Sequence, residues 1–242
     1  HPNNVIRLIL NRAEAADSDH NNPHSRAAAF YRQWMADGTL KQDDRPALYL
    51  KAITYDHQEK RVTRFGLIAL VGLETFDKRI ILPHEKTFSK VRSERLALMK
   101  ATHCNFCPIF SLYPDEGGLL GTLEAAVGHL AAEVDFLDEQ GHRHRLWRIV
   151  DPRAQAAVSE ALAERWILIA DGHHRYETAL AYQEEVHSGR ADSASADSPS
   201  DFMLAACMSA ADPGLVIRPT HRLIQWTGAP SFEQVVESAR QW

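Results

Sequence analysis

The sequence predicts an α+β (mixed α/β) fold, and three observations carry that prediction. Short apolar runs come in pairs joined by polar turns, as in hairpins. Other stretches repeat their apolar residues at helical spacing. Hairpins and helices are mixed along the 242 residues, which argues against a doubly wound parallel sheet.

The elements follow in order. Val5–Leu10 is amphipathic, and residues 26–36 place Phe30, Tyr31 and Trp34 on a helix stopped by Gly38. Ala47–Tyr55 and Arg61–Leu70 read as strands joined by the polar loop Asp56–Lys60. Residues 92–102 read as a helix, Pro108–Tyr113 as a strand, and Leu119–Ala132 as a helix. Val134–Leu137 and His144–Val150 read as a hairpin over Asp138–Gly141. Asp151-Pro152 opens a helix to about Arg165, because Asp caps free amides and Pro suits the first helical position. Trp166–Ala170 is a buried strand, and a helix runs from His173 to about His187. Residues 188–200 lack large apolar side chains and read as a surface loop, followed by strands at Phe202–Ala210 and Leu215–Ile217 and a helix from Ser231. The organisation expected is an α+β portion over 1–132 and an α/β portion over 133–242, integrated in one domain. Trp34, Trp147 and Trp166 are expected in the core.

The bulk numbers narrow the function. A formal net charge of −5 argues against broad binding to nucleic acid or to an anionic membrane. Three cysteines (Cys104, Cys107, Cys207) are no disulfide framework, and no signal peptide or membrane-length apolar run is present, so a cytoplasmic protein is expected. Cys104-Asn105-Phe106-Cys107 has no second knuckle to complete a zinc site and reads as buried structural cysteine. Residue 1 is His, and the last helix has no stop signal, so a fragment of a longer polypeptide is expected.

The most informative stretch is Ile169-Ala170-Asp171-Gly172-His173-His174-Arg175-Tyr176-Glu177-Thr178-Ala179-Leu180. A buried strand delivers the chain to a helix start, where the first amides lack intrahelical partners and the helix dipole adds partial positive charge. Gly172 permits a sharp turn and close approach of a ligand. His173, His174 and Arg175 put donors in a first turn that ordinarily favours acids, and Arg can grip a phosphate through paired hydrogen bonds. The pattern fits a phosphate-bearing small molecule. Asp171 can serve as an N-cap, a Mg²⁺ ligand or a partner for a substrate hydroxyl. His84-Glu85, after Pro83, can supply a general base or a magnesium ligand. Thr220-His221-Arg222 sits at a strand end and is a candidate for substrate binding.

This stretch resembles the signature of domain-of-unknown-function family 1015 of bacteria and archaea. His1-Pro2-Asn3-Asn4, Pro83-His84-Glu85-Lys86-Thr87, Pro108-Ile109-Phe110-Ser111-Leu112-Tyr113, Asp212-Pro213-Gly214-Leu215 and Pro219-Thr220-His221-Arg222 resemble that family's landmarks, in its order. The resemblance implies a ParB/sulfiredoxin-like fold, in which Gly-His-His-Arg corresponds to the Gly-Cys-His-Arg of sulfiredoxins and the Gly-Glu-Arg-Arg of ParB proteins. Free serine kinases belong to the same superfamily. It therefore implies a nucleotide held by Gly172, His173, His174 and Arg175, with Asn4 in reach. Asp171, Glu85 and His84 would be the catalytic candidates, and Asp171 and Glu85 the carboxylates for Mg²⁺. The activity expected is transfer of a phosphoryl group from ATP or ADP to a small hydroxyl substrate. A non-catalytic nucleotide-sensing module is the first alternative. A metal-dependent hydrolase built on His84, Glu85, His173 and His174 is the second, and no His-Glu-x-x-His pattern supports it.

Overall fold

The computed structural model describes residues 1–85, 89–115, 118–189, 198–219, 228 and 230–240. In order, it contains α1 (Ile6–Ile9), α2 (Pro23–Ala36), β1 (Leu48–His57), β2 (Lys60–Gly72), β3 (Ile81–Leu82), α3 (Ser89–Thr102), β4 (Ile109–Tyr113), α4 (Leu119–Val127), β5 (Val134–Leu137), β6 (Arg143–Ile149), α5 (Pro152–Ala163), β7 (Ile167–Asp171), α6 (His173–Ser188), β8 (Phe202–Ser209) and α7 (Phe232–Arg240). The architecture is α+β.

The eight strands of the described residues form one mixed sheet in the order β3-β7-β4-β8-β2-β1-β6-β5. The pairs β3·β7 and β4·β8 are parallel and the rest antiparallel. Strands from the portions 1–132 and 133–242 interleave: β4 lies between β7 and β8, and β6 beside β1.

Alternation along the strands builds the core. Leu50 and Ala52 of β1, Leu67 of β2, Ile109 and Tyr113 of β4, Ile167 and Ile169 of β7, and Met203, Ala205 and Cys207 of β8 are buried. With a side-chain period of two, they line a single face. On that face they meet Leu119, Leu123 and Val127 of α4, Val158 of α5, and Tyr176 and Ala179 of α6. Burial at about 25 cal/mol per Å² of apolar surface is what holds the two layers together.

Local chemistry sets the element ends. Asn22 accepts from the amides of His24 and Ser25 while the Ser25 hydroxyl accepts from the Asn22 amide, so α2 begins before the expected residue 26. Asp151 accepts from the Arg153 amide with Pro152 in the first position, as expected. The turn between β1 and β2 is tighter than the expected loop: only Gln58 and Glu59 separate the strands, both at positive φ, the arrangement that matches strand twist.

Other expectations need correction. α4 ends at Val127, with Gly128 after it, not at Ala132. Leu215–Ile217 is not a strand. The turn before it is held by Asp212, whose carboxylate accepts from the amides of Phe65 and Gly214 and whose carbonyl accepts from the Leu215 amide. Gly214 lies so close to the Thr63 carbonyl that a Cβ there would sit 2.2 Å from its oxygen. Trp34 and Trp147 are buried, but Trp166 is 44% exposed, because it precedes β7 instead of entering it. Cys104 and Cys107 are half-buried, and only Cys207 is fully buried. Among the described residues, no helix is long and apolar enough to cross a membrane.

Candidate functional site

The site forms where β7 runs into α6. Gly172 caps the helix at φ 101°, a left-handed backbone that a side chain would strain, and no side chain caps the helix start. The turn is fixed from below. Tyr176, fully buried, exchanges hydrogen bonds of 2.8 Å with the Glu74 amide and carbonyl and stacks on Phe76, and burial pushes its phenol up to about 12. Thr178 donates to the His174 carbonyl at 2.6 Å.

Arg175 folds back over the glycine. Its guanidinium donates to the Pro108 carbonyl and, at 2.6 Å, to the Asp171 carboxylate. A Cβ on Gly172 would lie 2.9–3.0 Å from three guanidinium atoms. Glycine is therefore favoured by its backbone angle, and a side chain here would also have to displace the Arg175 guanidinium. Asp171 is the last residue of β7, and its side chain is 76% exposed apart from this pair.

His173 points inward and is 2% exposed. Its Nε2 accepts from the His84 amide at 3.1 Å, so in the neutral ring the proton sits on Nδ1, which faces Glu85 Oε2 at 3.7 Å. Burial holds the His173 pKa below the usual histidine value, and the neighbouring His84 adds to this. The two rings meet edge to face at 4.5 Å. His84 Nδ1 donates to the Ile169 carbonyl at 2.7 Å, since a carbonyl can only accept. That leaves its Nε2 lone pair outward, 3.7 Å from Glu85 Oε1. The parallel pairing of β3 with β7 makes this arrangement possible: Ile81 lies opposite Ile167 and carries Pro83-His84-Glu85 to the end of β7.

Asp171, Gly172, His173, His174 and Arg175 open together with Glu85 onto a cleft of about 450 Å³. The structure thus brings together the candidates from two distant segments. Asn4 is placed differently: its Oδ1 accepts from the Ile6 amide, and the side chain does not line the cleft, although Ile6, Ile9 and Leu10 just beyond it do. Thr220, His221 and Arg222 lie outside the described residues.

Sequence reading missed two members of the wall. Arg95 of α3 lines the cleft and has no hydrogen-bond or ion-pair partner among the described residues. Cys107 lines it as well, contrary to its reading as a buried structural residue. No local pattern marks Arg95, since an arginine in a helix is ordinarily a solvated face. Among the described residues, no group of three or more His, Cys, Asp or Glu is arranged to hold a metal ion. A magnesium ion needs fewer protein ligands, because it keeps waters and shares phosphate oxygens. Glu85 and Asp171 are the carboxylates of the cleft that suit it.

A family model described as protein of unknown function (DUF1015) matches residues 1–242. No curated protein and no solved structure matches the sequence.

Proposed function

The chain belongs to the DUF1015 family, and we propose that it binds the phosphates of a nucleotide, ATP or ADP, at the N-terminus of α6 and transfers a phosphoryl group to a small hydroxyl substrate. The observation that carries the reading is the pairing of an uncapped, glycine-started helix with two arginines: Arg175 folded over the glycine, and Arg95 without a partner in the same cleft. Helix amides and guanidinium groups are the standard donors to phosphate oxygens. An unpaired arginine beside a helix N-terminus has positive charge to spare for an anion. The likeness of Gly172–Arg175 to the phosphate-binding turns of sulfiredoxin and ParB proteins supports a ParB/sulfiredoxin-like reading of the fold.

In this reading the first-turn amides and Arg175 hold phosphate oxygens, with Arg95 neutralising charge from the opposite wall. Glu85 or Asp171 would hold a Mg²⁺ ion, whose chemistry would be to neutralise phosphate charge. Glu85 takes the proton from the substrate hydroxyl as its oxygen attacks the terminal phosphorus, and the nucleotide leaves one phosphate shorter. His173 faces Glu85 with its Nδ1–H from 3.7 Å, and His84 is fixed beside them by the Ile169 carbonyl. Most of the rate gain would come from positioning and charge neutralisation.

The test is calorimetric titration of ATP and ADP, with and without Mg²⁺, into the wild-type chain and Arg175→Ala. The expected result is a loss of affinity of about 100-fold, near 2.7 kcal/mol, with the circular dichroism spectrum unchanged. Unchanged affinity would sink the assignment. Binding without turnover against a panel of hydroxy compounds, serine first, would favour the sensing module.

A further inference from the structure

A hollow of about 500 Å³ lies between α5 and the sheet and shares no lining residue with the cleft at the start of α6. Leu67, Ala69 and Val71 of β2 line it from the sheet, and Val158 and Leu162 line it from α5. The three β2 residues fall on one face of the strand, and the smallest of them, Ala69, stands between the other two. Leu67 and Val158 belong to the buried core, and Ala69, Val71 and Leu162 pack against it. Protein interiors are close-packed and leave few voids larger than a water molecule, so a hollow of this size is an exception. Walls of this kind hold water poorly, because a bound water needs polar partners. The volume lies within the roughly 300–1,000 Å³ of small-molecule sites, which are mostly apolar with a few placed polar groups.

The polar side chains of the wall are Gln155, Ser159 and Arg165. The Gln155 amide nitrogen is committed to the Pro46 and Ile149 carbonyls, at 3.0 and 2.9 Å. Arg165 is the one charged side chain of the wall among the described residues. It is anchored through a single nitrogen: Nη1 donates to the Pro114 carbonyl at 2.7 Å and lies 3.4 Å from Asp115 Oδ1. Its Nε and Nη2 have no hydrogen-bond partner among the described residues. Asp115 offsets part of the charge, but its oxygens also accept from the amides of Leu119 and Leu120. The side chain is 19% exposed, so this guanidinium is held in place, largely shielded from water, with donors to spare.

We propose that the hollow binds a small carboxylic acid with an aliphatic tail, the tail between α5 and β2 and the carboxylate on Arg165. The Nε and Nη2 groups of an arginine form a fork that matches the two oxygens of a carboxylate. The apolar walls take the rest of the molecule out of water. This site is independent of the phosphate reading, since the two share no residue.

The experiment titrates octanoate, octanol and acetate by calorimetry into the wild-type chain, Ala69→Phe and Arg165→Gln. Octanol keeps the tail without the charge, and acetate keeps the charge without the tail. The wild type is expected to bind octanoate saturably, about tenfold or more tighter than octanol, the scale of one hydrogen bond to a charged group. Acetate should bind far more weakly than octanoate. Ala69→Phe fills the hollow and should weaken octanoate and octanol together. Arg165→Gln should bring octanoate down to the affinity of octanol and leave octanol unchanged. Absence of saturable octanoate binding by the wild type overturns the proposal. So does equal binding of octanoate and octanol, which removes the role of Arg165, or equal binding of octanoate and acetate, which removes the role of the apolar walls. Unchanged octanoate binding by Ala69→Phe would place the ligand elsewhere and overturns it as well. The wild-type ratios and Ala69→Phe decide the matter even if Arg165→Gln does not fold.

Discussion

α4 and α6 both begin at a glycine in the left-handed region, Gly118 at φ 69° and Gly172 at φ 101°, and neither glycine offers a side-chain cap. Beside each stands an arginine bonded to a proline carbonyl: Arg165 to Pro114 at 2.7 Å, and Arg175 to Pro108. They differ in their anion. At α4 the Asp115 carboxylate lies on the amides of Leu119 and Leu120, at 2.7 and 3.1 Å, with Arg165 at 3.4 Å, and only 4% of its side chain is exposed. At α6 the Asp171 carboxylate instead faces the arginine and is exposed to solvent. At α4, then, a glycine-started helix with an adjacent arginine receives a carboxylate of the chain itself. Burial alone would raise the Asp115 pKa, yet the bonds from Leu120, Leu119, Ser209 and Arg165 lower it on balance. What Asp115 supplies to α4 from within the chain, no side chain supplies to α6.

The comparison can be broken most decisively at Asp115. Asp115→Ala removes the internal anion, leaves two amides unpaired and leaves Arg165 only the Pro114 carbonyl, so stability should fall by about 3 kcal/mol in urea denaturation. Nucleotide affinity at α6 should not move. A loss below about 1 kcal/mol would mean that the buried pair contributes little beyond its own desolvation cost.

Paired alanine substitutions at the two glycines sharpen it. A Cβ at Gly118 meets nothing within 4 Å, so Gly118→Ala costs only the left-handed backbone, about 1 kcal/mol, and leaves binding alone. Gly172→Ala carries the strain of its backbone angle, about 1–3 kcal/mol, and drives Arg175 from its place. It should therefore lower both melting temperature and nucleotide affinity. Equal effects of the two substitutions on binding would refute a special role for the α6 turn.

The smallest effect expected is on acid stability. His173 is buried with its pKa depressed, so the unfolded chain takes up a proton there that the folded chain refuses. Its contribution is intact above the unfolded value near 6.5 and is lost as pH falls below it. Melting temperature should fall from pH 7.5 to 5, and His173→Gln should flatten that slope. An unchanged slope in the variant would assign the acid sensitivity to other groups.

Some of this was legible in the chain itself, and residue by residue the boundary is clear. The Asp151-Pro152 start, the glycine at 172 and the cationic first turn of α6 are interactions within a few residues, so sequence spacing alone specifies their geometry. His84 and Glu85 were legible as chemistry but not as neighbours of His173. Nothing in residues 83–85 states that β3 will pair in parallel with β7. Arg95 carried no signal at all, because a lone arginine in a helix is ordinary until the fold places it in the wall of the cleft. Leu215–Ile217 has the composition of a strand, yet the Asp212 carboxylate and the close approach of Gly214 to Thr63 decide otherwise. The sequence by itself determined the helix start and the donors it presents, since caps, turns and first-turn charge act over one turn of chain. Only the tertiary structure decided which wall faces that helix and which polar atoms are left open, since those depend on sheet order and helix packing between segments far apart in the chain.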